Sequence, residues 1–215
     1  PLFGEASYRP APDDNVLRFL CVGKDSGVPA RKGVELLMEC FSAAFPHEQD
    51  VALTIKQSPV CLRRVSRDPR ITIIYTNYSE RGYFDLMAHH HCGVFLSGLE
   101  GWNLPACELM AMGRPSLIVP WNGPAEFTTP ETSYHLAYTL VQALQDEPYR
   151  GVGRQAQVVK DSVIETLRSV YRDRTTLRQK GEAGHQLVSK RFTREAFKER
   201  FREAVYNFGG FAKVT

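Results

Sequence analysis

Two glutamates at a defined spacing offer the clearest chemistry in the sequence. Glu100 follows a short apolar run that predicts a buried strand, and Glu108 lies about one turn into a predicted helix, Pro105 to Met112. Between them, residues 101–104 place free backbone N–H groups at the helix start, where the helix dipole favours negative charge. Each carboxylate has two acceptor oxygens, which match a pair of ribose or sugar hydroxyls. The segment therefore predicts a site for a phosphate and a sugar, with a helix-capping or solvated glutamate pair as the alternative.

Cations must accompany such a site, because two carboxylates alone would repel a phosphate. The sequence supplies Lys24, Arg31 and Lys32 after the first predicted strand. Spacing does not distinguish Arg31 from Lys32, and each side chain taken singly is more often a solvated surface charge. Their place at the end of a strand makes them candidate phosphate ligands.

The elements that must position these residues alternate between strands and helices. The predicted strands are 16–23, 51–55, 71–75, 93–96 and 116–119, and the intervening helices begin near Val34, Ser79 and Pro105. This alternation predicts a mostly parallel α/β sheet with helices on both faces, which binds ligands at the carboxyl ends of its strands. Residues 134–144 fit either a strand or a helix, and three more helices are predicted from Val158, at 177–190 and at 193–207.

The composition is that of a globular domain. Of 215 residues, 43% are hydrophobic and 24% charged, and the net charge of +3 is too small to indicate a nucleic-acid partner. No apolar run reaches the roughly 18 residues that a transmembrane helix needs, and the first residues do not resemble a signal peptide. Five scattered cysteines predict buried thiols in a reducing compartment, so a cytoplasmic location is expected.

The glutamate segment also carries a family resemblance. Glu100-Gly-Trp-Asn-Leu-Pro, continued by Glu108-Leu-Met-Ala-Met-Gly, resembles the signature of retaining glycosyltransferases of family four, which have the GT-B architecture of two Rossmann-like domains. Residues 23–37 are similar to the family's first strand and phosphate loop, 120–127 to its Gly-x-x-Glu loop, and 1–10 to its interdomain linker. The resemblance implies a linker remnant at 1–15, a Rossmann-like nucleotide-sugar binding domain at 16–155, and C-terminal helices at 156–215 that pack on it.

The resemblance also implies roles for individual residues. Glu100 would be the catalytic residue that faces the donor sugar, and Glu108 would bind the nucleotide ribose. The amides that contact phosphate and sugar would be those of Gly101, Trp102, Asn103 and Leu104. The cations that hold the diphosphate would be Lys24 and Lys32. The donor would be a UDP- or GDP-linked sugar, with no metal or other cofactor, and the sequence contains no Asp-x-Asp metal motif.

The whole enzyme would transfer a hexose to a hydroxyl acceptor with retention of configuration. The acceptor site would lie on an N-terminal domain that this chain lacks, so the chain alone would be inactive, and any peripheral membrane contact would run through that domain. The alternatives are a non-catalytic, glycosyltransferase-like nucleotide-binding or scaffold module, and a GT-B enzyme with another reaction, such as an epimerase or phosphorylase. Loss of donor binding would support the non-catalytic alternative. Two departures from the family pattern are the positions at which to look for such a loss: Lys24 in place of arginine and Asn103 in place of glycine.

Three consecutive histidines followed by a cysteine, residues 89–92, raise the question of a metal site. On one continuous segment these side chains point in different directions, so they do not converge easily on one ion. A position at the end of a helix, where histidine meets the negative end of the dipole, is the expected explanation.

Overall fold

Six parallel strands form the central sheet in the computed structural model, which describes residues 8–23, 32–61, 63–143 and 152–209. The order is β3-β2-β1-β4-β5-β6. The strands are β1 (Leu17–Val22), β2 (Val51–Lys56), β3 (Ile71–Ile74), β4 (Cys92–Phe95), β5 (Ser116–Ile118) and β6 (Tyr134–His135). The strand order reverses between β1 and β4, and in open parallel sheets the crevice at such a switch point is where ligands bind.

Helices cover both faces of this sheet. They are α1 (Val34–Ala44), α2 (Glu80–Ala88), α3 (Leu104–Ala111), α4 (Lys160–Arg172), α5 (Arg174–Arg191) and α6 (Arg194–Gly209). A 3₁₀ turn covers Gly123–Glu126, and a separate antiparallel pair joins β7 (Tyr138–Gln142) to β8 (Arg154–Val158). Among the described residues, no helix combines the length and the apolar character needed to cross a membrane.

Strand β1 lies in the middle of the sheet, and Arg18 is the only one of its six residues that is not apolar. Leu17, Phe19 and Cys21 point into the core on the side of α1 and α4, whereas Leu20 points into the core on the side of α2 and α3. A strand buried on both faces carries apolar residues at successive positions rather than at alternate ones. The five cysteines, all within the described residues, are buried thiols as the sequence predicts.

The predicted α/β fold with additional C-terminal helices is confirmed. The five predicted strands and the first three helices lie within one or two residues of their predicted positions. The C-terminal helices pack onto the same layers, α4 against α1 and α5 against α3. In contrast, the described side chains of α6, residues 194–207, are exposed or only partly buried.

Two features of the region after Asn122 were not resolved by the sequence. The ambiguous stretch 134–144 contains two short strands, β6 and β7. Strand β8 was not predicted, because it is polar and buries only Ala156. Its position depends on tertiary contacts: it pairs with β7, and the Ala156 N–H donates to the Gly98 carbonyl at 3.0 Å. A Cβ at Gly98 would lie 1.6 Å from the Ala156 carbonyl oxygen, so only glycine fits there.

Candidate functional site at the switch point of the sheet

The chain segments that follow β1 and β4 meet at the switch point. Gly33 precedes α1 with φ of 66°, and a Cβ at this position would lie 2.9 Å from the Cβ of Leu96, which follows β4. The aliphatic stem of Lys32 lies over Gly23, where an added Cβ would be 3.3 Å from Lys32 Cγ. This close approach brings Lys32 from one segment against Glu100 from the other.

Lys32 and Glu100 form an ion pair across the switch point. The Lys32 Nζ donates a hydrogen bond to Glu100 Oε1, and the two side chains are only 17% and 10% exposed. Charges this shielded from water interact more strongly than a surface pair does, and removal of either partner leaves the other uncompensated. The structure therefore brings together a predicted phosphate cation and the predicted sugar-facing carboxylate.

Helix α3 begins at Leu104, four residues after Glu100, with an unusual N-cap. Asn103 has φ of 71° and ψ of 65°, and its Oδ1 accepts a hydrogen bond from the Ala106 N–H at 3.4 Å. Asparagine is among the few residues other than glycine that adopt this left-handed conformation readily. Asn103 therefore tolerates the left-handed conformation and adds a side-chain cap.

The amides ahead of α3 are available to a ligand. The N–H groups of Trp102, Asn103 and Leu104 donate to no acceptor among the described residues. Gly101 is exposed, and a Cβ built on it would meet nothing within 4 Å. The free N–H groups at the start of this eight-residue helix therefore border open space, as binding of an anion requires.

The 3₁₀ turn Gly123–Glu126 contacts the backbone of the loop before α3. The Gly123 N–H donates to the Glu100 carbonyl at 3.2 Å, and a Cβ at Gly123 would lie 2.1 Å from the Gly101 carbonyl oxygen. The backbone of Glu100 and Gly101 is therefore held by direct backbone contact, which positions the following amides.

Trp102 contributes packing through its side chain. Its ring lies 5.2 Å from Phe127 and 5.5 Å from Phe192 between ring centroids, the latter in an edge-on arrangement. These contacts indicate that the ring packs in the interior. The Trp102 amide stays a candidate ligand group.

Glu108 lies on α3, half-buried, and is engaged by a residue that the sequence did not indicate. The Tyr83 hydroxyl, on α2, donates to Glu108 Oε2 at 3.1 Å. Burial raises the pKa of Glu108, the charge of Glu80 raises it further, and the Tyr83 hydrogen bond opposes both effects. Burial and the Glu108 charge raise the pKa of Tyr83, so its hydroxyl stays a donor. In the sequence Tyr83 shows only the apolar spacing of a helix, which carries no sign of this contact.

Two of the predicted cations, Lys24 and Arg31, lie outside the described residues. The structure therefore locates Lys32 at the switch point, and the choice between Arg31 and Lys32 as phosphate ligand stays open.

The three histidines lie at the end of α2, as expected. The Nδ1 atoms of His89 and His90 lie 2.6 and 2.7 Å from carbonyl oxygens one turn earlier in the helix. His91 accepts the Arg18 N–H at Nδ1 (3.1 Å) and donates from Nε2 to the Pro12 carbonyl (3.0 Å), which defines a neutral ring. Across the described ranges, no three histidine, cysteine, aspartate or glutamate side chains group as a metal site would require.

A cavity of about 610 Å³ lies at the opposite end of the sheet. Its lining includes His91 and Pro115, which precede β4 and β5, so it is located at the amino ends of the strands. Arginines and carboxylates both line it, for example Arg178 and Glu182 on α5. Neither Lys32 nor any residue of the segment 100–108 lines the cavity, so it is separate from the switch-point site.

No protein-family model matches the chain, and no curated protein sequence does. Solved structures do match it. The C-terminal domain of LpcC from Francisella tularensis, a glycosyl transferase group 1 family protein, superimposes with a TM-score of 0.62 at 13% identity, over 88% of this chain and 97% of that one. HepE from Anabaena, crystallised with UDP and glucose, matches with a TM-score of 0.63 at 11% identity, over 90% of this chain and 49% of HepE.

A TarM variant from S. aureus, in a complex that includes UDP, matches with a TM-score of 0.61 at 14% identity over 92% of this chain. This chain spans only 37% of the length of TarM. At such low identities the likeness establishes the fold. Taken with the parallel sheet of order β3-β2-β1-β4-β5-β6, it shows that the chain has the α/β fold of the C-terminal domain of GT-B glycosyltransferases.

Proposed function

We propose that this chain is the donor-binding domain of a retaining glycosyltransferase and binds a nucleotide-diphosphate sugar at the switch point of its sheet. The observation that carries the proposal is the exposed start of α3, with its free amides, between Glu100 and Glu108. The same fold occurs in HepE and TarM, whose structures were solved with UDP. The resemblance of the segment Glu100–Gly113 to family four supports the finer assignment.

The diphosphate would bind the amides at the start of α3 and the cation Lys32. Leaving-group departure places negative charge on the diphosphate, and preorganised N–H donors with an ammonium group stabilise that charge in the transition state. Lys32 is already held by Glu100, so its ammonium group is positioned before the donor arrives. Lys24 would supply the second cation.

The two glutamates would divide the recognition of the donor. Glu100, at the end of the β4 segment, would act as the catalytic residue that faces the transferred hexose. Glu108, farther along α3, would accept hydrogen bonds from the ribose hydroxyls, because a carboxylate offers two acceptor oxygens to a diol. Neither role calls for a metal ion.

The acceptor site would lie on a second domain. HepE is about twice as long as the region this chain matches, which supports a partner domain on the other side of the donor site. Residues 1–15 would then be the linker remnant, 16–155 the donor-binding domain and 156–215 the helices that complete it. The chain alone would transfer no sugar. The complete enzyme would be cytoplasmic, and any contact with a membrane surface would involve the second domain.

A calorimetric titration tests donor binding directly. UDP, GDP and ADP, with and without EDTA, are titrated into the native chain, the Lys32→Ala variant and the Lys160→Ala variant. Lys160 pairs with Glu39 in a half-exposed contact on α4 and serves as a control for loss of one positive charge. We expect saturable, EDTA-insensitive binding of one nucleotide, with affinity lowered about tenfold or more by Lys32→Ala and little changed by Lys160→Ala. Failure of the folded native chain to bind any of the three would contradict the proposal.

A non-catalytic module is the second candidate. The observation that favours it is the Lys32–Glu100 ion pair. Because these two charges balance each other, Lys32 does not need the negative charge of a donor. Transfer assays on a chain extended by a second domain separate the two candidates: turnover of the bound nucleotide sugar with retained configuration supports the enzyme, and binding without turnover supports the module.

A further inference from the structure

We propose that Tyr83 is a positioning residue for the nucleotide site, holding the Glu108 carboxylate in the orientation and charge state that bind the ribose diol. This inference rests on the proposed function, which assigns Glu108 to the ribose. The Tyr83 hydroxyl donates to Glu108 Oε2 at 3.1 Å, a contact that joins α2 to α3. Within the described residues, Glu108 Oε1 accepts no hydrogen bond, so one oxygen is held and the other is left for a ligand.

The placement of Tyr83 suits this role. Helix α2 begins at Glu80, where the Ser79 side chain caps it by accepting the Gly82 N–H at 3.2 Å. Tyr83 lies in the first turn after this cap, and its ring packs on Phe84 with 5.6 Å between centroids. A capped first turn and a packed ring restrict the hydroxyl to one position, so the carboxylate it binds is also restricted.

The charge state of Glu108 depends on the same contact. The groups that act on this carboxylate are Tyr83 and Glu80, both on α2, and its own charge acts in turn on the Cys107 thiol next to it in α3. Burial and the negative charge of Glu80 raise the pKa of Glu108, and the Tyr83 hydrogen bond lowers it. Loss of the hydroxyl would therefore protonate the carboxyl group at a higher pH. A protonated carboxyl group has lost an acceptor, so it binds a diol less well.

The test combines two variants in a double-mutant cycle. Tyr83→Phe removes the hydroxyl and keeps the ring, Glu108→Gln removes the charge, and a third chain carries both changes. Tyr171→Phe is the matched control, since its hydroxyl donates to Asp50 Oδ1 at 2.9 Å in another tyrosine–carboxylate contact, on α4. UDP affinity is measured by calorimetry, with GDP or ADP used if the native chain selects one of them, and circular dichroism verifies that each variant is folded.

We expect Tyr83→Phe to weaken nucleotide binding about tenfold and Tyr171→Phe to leave it unchanged. In the Glu108→Gln background, Tyr83→Phe should have no further effect, because the two residues act through one carboxylate. Loss of binding on acidification should begin at a higher pH in Tyr83→Phe than in the native chain. The penalty should also shrink for a 2′,3′-dideoxyribonucleoside diphosphate, which has no diol to bind.

Two results overturn the inference while the proposed function stands, and a third overturns both. If the native chain binds the nucleotide but Tyr83→Phe binds it equally well, Tyr83 does not position Glu108, and the proposed function stands. If the Tyr83 and Glu108 losses are additive and independent of pH and of the diol, Tyr83 has a structural role only. A native chain that binds no nucleotide refutes the proposed function and this inference together, which the first titration shows.

Discussion

Asn103 occupies a backbone conformation that most residues avoid, with φ of 71° at the start of α3. Its side chain partly offsets the cost by accepting the Ala106 N–H at 3.4 Å. The residue is only 8% exposed, so its strained backbone and its capping side chain are both shielded from water. Both belong to the loop that presents the free amides. The identity of this single residue therefore influences whether the amides are correctly placed.

Substitutions at Asn103 should separate backbone strain from capping. Asn103→Ala meets the left-handed penalty and loses the cap, so we expect about 2 kcal/mol less free energy of unfolding. Asn103→Gly removes the cap and tolerates the conformation, so the loss should be under about 1 kcal/mol. Urea denaturation measures both values, and an alanine variant as stable as the glycine variant would show that this conformation is not required in solution.

At the scale of elements, the end of α5 packs against the loop before α3, whereas the described side chains of α6 are exposed or only partly buried. Phe192, at the end of α5, contacts Trp102 edge-on at 5.5 Å. Phe201 on α6 is 59% exposed, and its ring stacks on Phe197 of the same helix at 6.1 Å. Equal side chains nine residues apart thus have very different surroundings.

Alanine substitutions at these two phenylalanines should reflect that difference. Phe192→Ala leaves a gap beside Trp102 and should lower the free energy of unfolding by about 2 kcal/mol. Phe201→Ala removes an exposed ring and should change it by less than about 0.5 kcal/mol. Urea denaturation of both variants gives the comparison. Comparable losses would mean that α6 is buried against the chain in solution.

At the scale of the whole molecule, the ends of α2 and α3 are tied to residues 9–10 by one buried arginine. Arg114 is 1% exposed, and its guanidinium donates to five carbonyl oxygens, at 2.7–3.1 Å. One of these is the carbonyl of His90, at 2.7 Å from Nε. Burial lowers the pKa of the Arg114 guanidinium to about 10, so it stays charged at neutral pH. The neighbouring histidine, in contrast, is buried as a neutral ring.

His90 should make the stability of the fold depend on pH. Burial lowers its pKa from 6.5 to about 4. Below pH 6.5 the unfolded chain takes up a proton that the folded chain does not, so the free energy of unfolding falls as the pH falls from 6.5 to 4, by about 3 kcal/mol from this residue.

The variant His90→Asn isolates this contribution. Its free energy of unfolding, measured by urea denaturation between pH 7.5 and 4, should fall less steeply with acidification than that of the native chain. His89→Asn, at an exposed position of the same helix end, serves as the control for loss of a histidine side chain. Identical slopes for His90→Asn and the native chain would refute the assignment of the buried neutral ring.

The order of strands and helices was accessible from the sequence, because it depends on local patterns. A strand buried on both faces, such as β1, carries apolar residues at successive positions, and α3 begins with Pro105 in its first turn and ends before Gly113. The spacing of Glu100 and Glu108 then located the candidate site at a strand end. Since these signals lie within short segments, they can be recognised without knowing which other segments pack against them.

The tertiary structure decided which distant groups meet. Lys32 pairs with Glu100 across 68 positions, and Tyr83 reaches Glu108 from another helix. Strand β8 has too few apolar residues for a pattern and is specified by its pairing with β7. None of these contacts has a local signature, because each joins segments that are separated along the chain and meet only in the folded structure. The sequence therefore identifies the residues that are capable of chemistry. The hydrogen bonds that set their orientation and protonation state form only when the sheet has formed.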